Sequence, residues 1–383
     1  MISTKFEELF SLENIYKAHI KGRLSKRAKR PIVRYEMSLL QNVVKLYNEL
    51  HSGSYKISHY NSFVVYEPKK REIQTLHYSD RVVQHVICDS LLSPYFTRHA
   101  ICDNGVCQIC KGTHFLLRRL EVMLRKFISK NWNSGYVLKC DIHKYFPSIP
   151  HKKLEELVLK HIKDKKLKAF ISMIIDSYHT HPNYLEKNGI SSLGSGEPHP
   201  KTKGVFVTNR GIPIGNQTSQ VFGMFFLNDL DRFIKEKLRF KIYSRYMDDF
   251  ILVHKDKEVL KQALSEIQKL VNELHLKLNS KTQIFPLKNG FTYLGFRYQV
   301  VNGKLLKKVS RKTTRRFCAR ARLLNRAFAD GAIDAERVRC SLSAYHGHLK
   351  HGNCYKLEQK LFKRIKIEEI QKSKELKNGT NKN

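Results

Sequence analysis

The sequence of 383 residues has few acidic side chains, a single tryptophan and no long apolar run. No stretch approaches the roughly 20 consecutive apolar residues that a membrane-spanning helix requires, so a membrane partner is not expected. The N-terminal residues MISTKFEELF include acidic side chains and lack the apolar core of a signal peptide, which predicts a cytoplasmic location. Eight irregularly spaced cysteines then favour reduced thiols over a disulfide framework.

The shortage of acidic residues leaves a large positive charge. Lys and Arg total 71 against 34 Asp and Glu, which gives a formal net charge of +37 at pH 7. A partner with many negative charges must offset this excess, and nucleic acid fits best. Apolar residues make up 41% of the chain, more than a ribosomal or packaging protein of similar charge usually has. The chain is therefore expected to bury a full core.

Local patterns divide the chain into segments. Residues 1–55 are predicted to be helical and include the basic stretch KGRLSKRAKR, either a solvated linker or an arm that contacts phosphates. The segment FVVYEPKKREIQTLHYSDR, from Phe63, predicts a hairpin with basic residues at its tip. Residues 179–205 are rich in Gly, Ser, Pro and His and predict a mobile surface loop. Beyond residue 300, Lys and Arg interleaved with apolar residues predict basic helices with one apolar face.

The segment SRYMDDFILV places two adjacent aspartates, Asp248 and Asp249, between apolar and aromatic residues. This pattern predicts a strand, a turn and a second strand, with the carboxylates at the bend. Two negative charges on a half-buried hairpin repel each other and lose their water. A pair of divalent metal ions is the usual compensation where the purpose is catalysis.

A third carboxylate follows a β-like run in GYVLKCDIHKYFPSI, where Asp141 is expected at the end of a strand. A lone aspartate in such a place is most often a cap or a turn residue. The presence of Asp248 supports a metal-binding role for Asp141. Nucleotidyl transfer needs two metals about 4 Å apart that are held by carboxylates from separate strands.

With these residues in place, the sequence resembles the reverse transcriptases. YMDD, from Tyr246 to Asp249, matches the family's metal-binding hairpin, and DIHKYF, from Asp141 to Phe146, matches its first palm motif. RGIPIGNQTSQVFGMFFLNDLDRF, LKLNSKTQIF and FTYLGFRY follow in the family's order. The resemblance covers about residues 60 to 360 and is specific as a set.

The resemblance implies a metal site and a general acid. Asp141 and Asp248 would be the principal ligands of two Mg²⁺ ions, with Asp249 in support and Mn²⁺ as a potential substitute. Ile142 would add a ligand to the same site. Lys281 would lie near the leaving phosphate as a general acid.

The resemblance also implies contacts with deoxynucleoside triphosphates. Lys69 and Arg71, at the hairpin tip, would bind the triphosphate, where a planar guanidinium suits bidentate contact. Phe146 would stand under the sugar and exclude a 2′ hydroxyl. Gly215 would let the backbone approach the nucleotide closely, and Gln220 is assigned to the same pocket.

Nucleic-acid contacts are implied in three further places. The expected residues are Lys111 of KGTH on the template, Leu294 and Gly295 of the primer grip, and Arg311, Arg315 and Arg316 on basic helices that track the RNA–DNA product duplex.

The implied fold is α+β, a right-hand polymerase fold with fingers and palm of antiparallel sheet plus helices and a C-terminal helical thumb. The predicted boundaries are an N-terminal helical basic extension at 1–55, fingers at 56–135, a palm at 136–300 with an insertion loop near 179–205, a thumb at 301–370 and a disordered tail at 371–383.

Two departures from the motifs of retroviral and group II intron enzymes narrow the set of reverse transcriptases that the sequence resembles. Ile214 precedes Gly215 and Gln220 follows Ser219, where retroviral and group II intron enzymes typically have a glutamine and a proline. The form IGNQTSQ is more similar to bacterial diversity-generating retroelement enzymes and to related defence-associated, group II intron-like reverse transcriptases. No ribonuclease H segment and no His-Asn-His pattern is recognised, which argues against a complete retroviral or mobile intron enzyme.

The leading hypothesis is thus an RNA-directed DNA polymerase that copies a structured noncoding RNA in an anti-phage defence system. A diversity-generating retroelement enzyme is the alternative. An RNA-binding maturase-like protein and a template-independent or protein-primed DNA polymerase also stay open, although three intact aspartates argue against a pure binder. An accessory protein or a second reverse transcriptase is a candidate partner, and the oligomeric state is not predicted.

A zinc site is a weaker interpretation of one cysteine cluster. Cys107 and Cys110 have the C-x2-C spacing of a zinc finger, with Cys102 and His114 nearby in sequence. A retroviral knuckle would need a histidine at position 115, where the sequence has Phe115. We therefore disfavour zinc.

Overall fold

The computed structural model describes residues 1–66, 69–131, 134–190 and 208–364. The fold consists of two compact units. The first unit comprises Met1–Gly112, Leu138–Leu252 and Lys261–Gln283. The second unit comprises Thr113–Val137, Val253–Leu260 and the chain from Ile284 onward.

Helices dominate the described ranges. In chain order they are α1 (Phe6–Leu9), α2 (Leu12–Gly22), α3 (Arg30–Met37), α4 (Leu39–Ser52), α5 (Tyr78–Ile87), α6 (Ser93–His99), α7 (Thr113–Asn131), α8 (Tyr145–Ser148), α9 (His151–Leu159), α10 (Lys165–Ile175), α11 (Pro182–Lys187), α12 (Gln217–Phe226), α13 (Asn228–Arg232), α14 (Lys257–Glu273), α15 (Arg311–Ala329), α16 (Ala335–Leu349) and α17 (Tyr355–Arg364). Two π-helical turns, Cys88–Leu92 and Phe233–Lys237, follow α5 and α13.

The strands are short. They are β1 (Asn61–Val65), β2 (Arg71–Thr75), β3 (Tyr136–Asp141), β4 (Ile242–Tyr246), β5 (Asp249–His254), β6 (Gln283–Pro286), β7 (Phe291–Tyr293), β8 (Phe296–Val301) and β9 (Lys304–Val309).

Strand pairing defines the β1–β2 hairpin, the strands around the YMDD turn and a separate sheet in the second unit. β1 and β2 form an antiparallel hairpin in which Val65 pairs with Arg71. β4, β5 and β3 are neighbours in that order, so the strand that follows the YMDD turn lies beside the strand that ends at Asp141. In the second unit, β7, β8 and β9 form an antiparallel sheet.

Side-chain caps explain where several helices begin. Asp164 accepts a hydrogen bond from the backbone N–H of Leu167 at 2.7 Å at the start of α10. Asp334 does the same for Arg337 at 2.8 Å at the start of α16. Such caps satisfy amide groups that have no partner within the helix, and each contributes about 1 kcal/mol.

Aromatic packing fills the core of the first unit. α12 is buried along most of its length, and its Phe225 ring stacks on Phe96 with centroids 3.8 Å apart. The second unit has its own core, in which Ala321 of α15 packs with Val338 and Leu342 of α16. Each unit therefore has the apolar burial that stabilises it separately.

The predicted α+β class with antiparallel sheets is confirmed, as are the helices before residue 55 and the hairpin with its basic tip. Two local predictions need correction. Residues 304–309 form β9, so the C-terminal helices begin at Arg311 rather than near 301, because Leu305, Lys307 and Val309 are the alternately buried residues of a strand that pairs with β8. Within 179–205, Pro182–Lys187 forms a short helix, and the remainder from 191 lies outside the described residues, as do the last residues, 371–383.

Among the described residues, no helix combines the length and apolar character needed to cross a membrane.

Candidate active site

Neighbouring strands bring the predicted carboxylates together. Asp141 is the last residue of β3, Asp248 lies in the turn after β4, and Asp249 is the first residue of β5. The backbone N–H of Ile142 donates to the carbonyl oxygen of Asp248 at 3.2 Å, which fixes the end of β3 beside the turn. The structure therefore joins residues that are far apart in sequence, as predicted.

The turn carboxylates are half-buried, and their charges interact. Burial raises the pKa of Asp248, and the negative charge of Asp141 raises it further, whereas Arg71 and Lys69 lower it. Burial also raises the pKa of Asp249 to about 6. The positive charge of Lys139 opposes this increase, and the negative charges of Asp141 and Asp248 add to it. A cation bound between these groups would relieve both the repulsion and the loss of water.

The contacts of the carboxyl groups fit a divalent cation. Oδ1 of Asp249 is buried and has no hydrogen-bond partner, while Oδ2 lies 3.6 Å from Nζ of Lys139. Carboxylate and backbone oxygens are the donors that Mg²⁺ and Mn²⁺ prefer. Within the described residues, however, no three His, Cys, Asp or Glu side chains are grouped as a preformed metal site. A bound cation would compete with Lys139 for the carboxylate of Asp249.

Two residues of this site were missed by the sequence reasoning. Lys139 lies two residues before Asp141 on β3, and strand alternation alone would have placed the two side chains on one face. Asn279 donates from Nδ2 to Oδ2 of Asp141 at 2.9 Å, and its backbone N–H donates to the Asp141 carbonyl at 2.7 Å. No local pattern in LKLNSK indicates that long-range contact.

The YMDD turn is held in an unusual backbone conformation. Met247 has a φ of +56°, which costs free energy for a residue with a side chain. Its carbonyl oxygen accepts a hydrogen bond from Nη1 of Arg245 at 2.9 Å. The guanidinium of Arg245 therefore stabilises the turn that carries both aspartates.

Arg245 is anchored in turn by Asp231, and both side chains are 0% exposed. Nε and Nη2 of Arg245 donate to the two carboxylate oxygens of Asp231, each at 2.6 Å. Nη2 also donates to the Met224 carbonyl at 3.0 Å, and Tyr243 donates to Asp231 at 2.6 Å. Burial lowers the pKa of Arg245, but the adjacent Asp231 more than offsets this and leaves the pKa above its ordinary value. The pair thus ties α12, α13 and β4 to the turn.

The sequence contained a signal for this pair. Arg245 interrupts a buried strand, so its charge needed an opposite charge. The helix α13 that contains Asp231 is mostly polar and gives no comparable signal. Which charges pair could not be read from one sequence, because the two residues belong to separate elements.

Gly215 lies against the backbone of the β1–β2 hairpin. Its φ is +138°, and a Cβ atom added there would lie 2.1 Å from the carbonyl oxygen of Gln74 on β2. The backbone N–H of Gln74 donates to the Ile214 carbonyl at 2.8 Å. The absence of a side chain is thus required for contact with the hairpin, and the predicted approach to a nucleotide stays a prediction.

The other predicted substrate residues have varied surroundings. Phe146 is half-buried beside Gly223, where an added Cβ would lie 3.4 Å from its ring. Gln220 is half-buried in α12, and Lys281 is exposed in the turn before β6, with its backbone N–H bonded to Oδ1 of Asn279. Lys69 and Arg71 are exposed at the hairpin.

The predicted nucleic-acid residues divide between the two units. In the first unit, Nζ of Lys111 donates to Gln108 at 2.6 Å. In the second unit, Leu294 and Gly295 form the turn between β7 and β8 with φ of +47° and +83°. The basic residues Arg311, Arg315 and Arg316 are exposed on α15. Cys102, Cys107 and Cys110 have free thiols.

The sequence matches the family "Reverse transcriptase (RNA-dependent DNA polymerase)" over residues 33–298. The chain therefore belongs to the reverse transcriptase family, whose members are nucleotidyltransferases that use divalent metal ions. No curated protein matches the sequence.

Three solved telomerase structures match parts of this chain. Apo telomerase from Candida tropicalis has 12% identity and a TM-score of 0.44, with 65% of this chain and 47% of that chain covered. A form of it truncated from the C-terminal domain has 12% identity and a TM-score of 0.42, with 70% and 60% covered. Telomerase from Candida albicans in complex with a TWJ fragment of telomeric RNA has 14% identity and a TM-score of 0.40, with 66% and 45% covered. The chain spans about half the length of these proteins.

Removing one partner of the buried pair should unfold the site. Arg245→Met leaves the Asp231 charge uncompensated, and we expect a loss of about 3–5 kcal/mol in the free energy of unfolding, measured with urea. The double variant Arg245→Met/Asp231→Asn has no unpaired charge and should recover part of that stability. It should not recover primer extension, because the Met247 carbonyl still lacks its donor.

A matched control is Lys17→Met, which breaks the exposed Lys17–Glu13 pair at 2.6 Å. Its stability should equal that of the wild type within error. An Arg245→Met protein as stable and as active as the wild type would show that the buried pair does not hold the turn.

Gly215→Ala should displace the hairpin from the segment before α12. Because the added methyl group would overlap the Gln74 carbonyl, we expect kcat/KM for deoxynucleotide incorporation to fall about a hundredfold. Gly53→Ala is the control, since Gly53 also has positive φ, +75°, but nothing lies within 4 Å of an added Cβ. Equal effects of the two changes on kcat/KM would assign the loss at Gly215 to backbone strain alone.

Proposed function

We propose that this protein is an RNA-directed DNA polymerase that makes cDNA from a partner noncoding RNA by two-metal nucleotidyl transfer. The observation that carries the proposal is the bond between the Ile142 amide and the Asp248 carbonyl, which sets the Asp141 strand end beside the YMDD turn. Membership of the reverse transcriptase family supports the same reaction.

Asp141 and Asp248 would hold two Mg²⁺ ions, with Asp249 and Ile142 completing the site and Mn²⁺ as a substitute. Bound ions of this kind activate the primer 3′ hydroxyl and neutralise charge on the leaving pyrophosphate. Lys139 stabilises the Asp249 charge before metal enters, since the two groups are 3.6 Å apart. Asn279 orients the Asp141 carboxyl group through the bond to Oδ2.

The hairpin cations are the groups that would bind the incoming triphosphate. Lys69 and Arg71 are exposed, yet their charges act on Asp248 and lower its pKa, so their positive field extends to the carboxylates. An anion of several charges bound there would be attracted by the tip and held next to the metal site. Lys281 is the proposed proton donor to the leaving phosphate.

Selection of deoxynucleotides is assigned to Phe146. Its ring is half-buried and is limited on one side by α12 at Gly223, so it can cover the sugar without being free to move away. Gly215 and Gln220 belong to the segment that would lie under the new base pair.

Separate surfaces would guide the strands. In the second unit, exposed Arg311, Arg315 and Arg316 on α15 suit the phosphates of an RNA–DNA duplex, and the turn at Leu294 and Gly295 suits the primer end. In the first unit, Lys111 is the proposed template contact. Membership of a family of RNA-dependent polymerases supports an RNA template here.

For the biological role we propose anti-phage defence in the bacterial cytoplasm, with a structured noncoding RNA as template. The form of the IGNQTSQ motif supports this assignment over a retroviral one. An accessory protein or a second reverse transcriptase is the proposed further partner. A template repeat matching a variable gene, found by sequencing the cDNA, would assign the protein to diversification instead.

Primer extension on a defined RNA template tests the activity. We expect Mg²⁺-dependent incorporation of deoxynucleotides by the wild type and a loss of about a thousandfold or more in Asp248→Ala, because one principal metal ligand is removed. Asp229→Ala, which changes an exposed aspartate of α13, is the matched control and should stay active.

Sequencing of the product completes this test. A product complementary to the RNA confirms templated copying. Equal incorporation by the wild type and Asp248→Ala would refute the assigned site, and a product made equally without RNA would indicate a template-independent polymerase.

Charge reversal on α15 tests the duplex surface. Arg315→Glu/Arg316→Glu should weaken binding of an RNA–DNA hybrid at all sequences and reduce the slope of log K against log salt by about 0.9 for each phosphate that the protein no longer neutralises. Lys163→Glu/Lys165→Glu changes the net charge equally at exposed positions of the first unit and should leave the slope unchanged. An identical slope in both double variants would remove α15 from the contact surface.

A further inference from the structure

Three histidines of the second unit form a cluster that the polymerase reaction does not use. The rings of His114 and His351 stack with centroids 3.7 Å apart and planes 17° from parallel. The ring of His348 lies 6.1 Å from that of His114. His114 belongs to the first turn of α7, His348 to the last turn of α16 and His351 to the loop directly after it, so two chain segments that are far apart in sequence converge here.

Cations surround this cluster. Arg118, Lys307 and Lys350 act on both His114 and His351, and Arg316 acts on His348. The neighbouring carboxylate, Glu121, is already paired with Lys307 and Arg125. The first turn of α7 contains no acidic residue, so the amide groups at this end of the helix add to the positive field.

Two ring nitrogens of the cluster have no hydrogen-bond partner in the described part of the chain. They are Nδ1 of His114 and Nε2 of His348, and both are buried. Buried polar atoms without partners are rare, because each costs the free energy of its lost hydration. A ligand with several acceptor oxygens could bond to such groups once they carry protons.

Metal binding explains the geometry less well. The nearly parallel stack of His114 and His351 directs the nitrogen lone pairs of the two rings along similar planes, whereas tetrahedral ligands must converge on one point. An accumulation of Lys and Arg would also repel a cation.

We propose that His114, His348 and His351, with Arg118 and Lys350, form a binding site for a backbone phosphate of the bound nucleic acid, and that protons are taken up when it binds. This inference rests on the proposed function only in that the bound polymer is nucleic acid. Burial and then the nearby cations lower the pKa of His114 and His351, and burial followed by His114 and Arg316 lowers that of His348. The rings are therefore largely neutral before binding, and a phosphate bound beside the cluster raises their pKa values.

The direction of the pH dependence follows from this change. Because the bound state holds more protons than the free state, affinity must increase as pH falls. Between about pH 8 and pH 6, uptake of one proton strengthens binding by up to about tenfold per pH unit.

The test measures the affinity of the full chain for a fluorescein-labelled RNA–DNA hybrid by anisotropy across this pH range at fixed ionic strength. The wild type should bind about tenfold more tightly at the acidic end, and His114→Gln and His351→Gln should each reduce that ratio to about threefold or less. His346→Gln is the matched control, because His346 is on the same helix as His348 but pairs with Glu358. It should keep the wild-type ratio.

Calorimetry on the wild type keeps the inference testable even if a variant fails to fold. Heats of binding in two buffers of different ionisation enthalpy should reveal uptake of about one proton per hybrid bound. No proton uptake, or an equal loss of pH dependence in His346→Gln, would overturn the phosphate site. Tight Zn²⁺ binding that His114→Gln abolishes would also overturn it, in favour of a metal site.

The outcomes separate this inference from the polymerase assignment. A wild type that extends primers but shows no proton-linked binding refutes the phosphate site alone. A wild type with proton-linked binding and no primer extension refutes the proposed reaction alone.

Discussion

The buried ion pair between Arg245 and Asp231 is the constraint on which the candidate site depends. Two fully buried charges are costly unless their hydrogen bonds are nearly complete, and here the guanidinium bonds to both carboxylate oxygens and to two backbone carbonyls. One of those carbonyls belongs to Met247, whose positive φ shapes the turn of the aspartates. The buried pair therefore stabilises a conformation that local preferences disfavour, and the carboxylates occupy fixed positions as a result.

Fixed, half-buried carboxylates have an electrostatic cost that the surrounding cations reduce only in part. Lys139 lies against Asp249, and the charges of Lys69 and Arg71 reach Asp248, yet the pKa values of both aspartates stay above their ordinary values. The negative charge of these aspartates is thus not fully compensated, although the net charge of the chain is +37. Divalent metal ions with a bound triphosphate would compensate it, which links the energetics of the fold to the chemistry of the family.

Much of the site could be predicted from sequence, because its main elements are local. Apolar, aromatic and β-branched residues on both sides of the aspartates in SRYMDDFILV predicted strand, turn and strand, and Asp141 was expected at a strand end; both were confirmed. The contacts of Asn279 and Gly215 could not be predicted, because each depends on which distant segment packs alongside. Strand alternation would have placed Lys139 on the face of Asp141. The residues before Arg311 were expected to be helical because charge was given more weight than the alternation that makes β9. The metal-ligand, substrate and nucleic-acid roles of individual residues stay predictions.

The central claim is that the YMDD turn and the end of β3 form one metal-binding centre. Crystals grown with Mn²⁺ and measured at a wavelength where manganese scatters anomalously would test it directly. The account predicts anomalous peaks in contact with the carboxyl groups of Asp141 and Asp248. An ordered turn with no peak between these carboxylates, at a Mn²⁺ concentration that supports DNA synthesis, would contradict it.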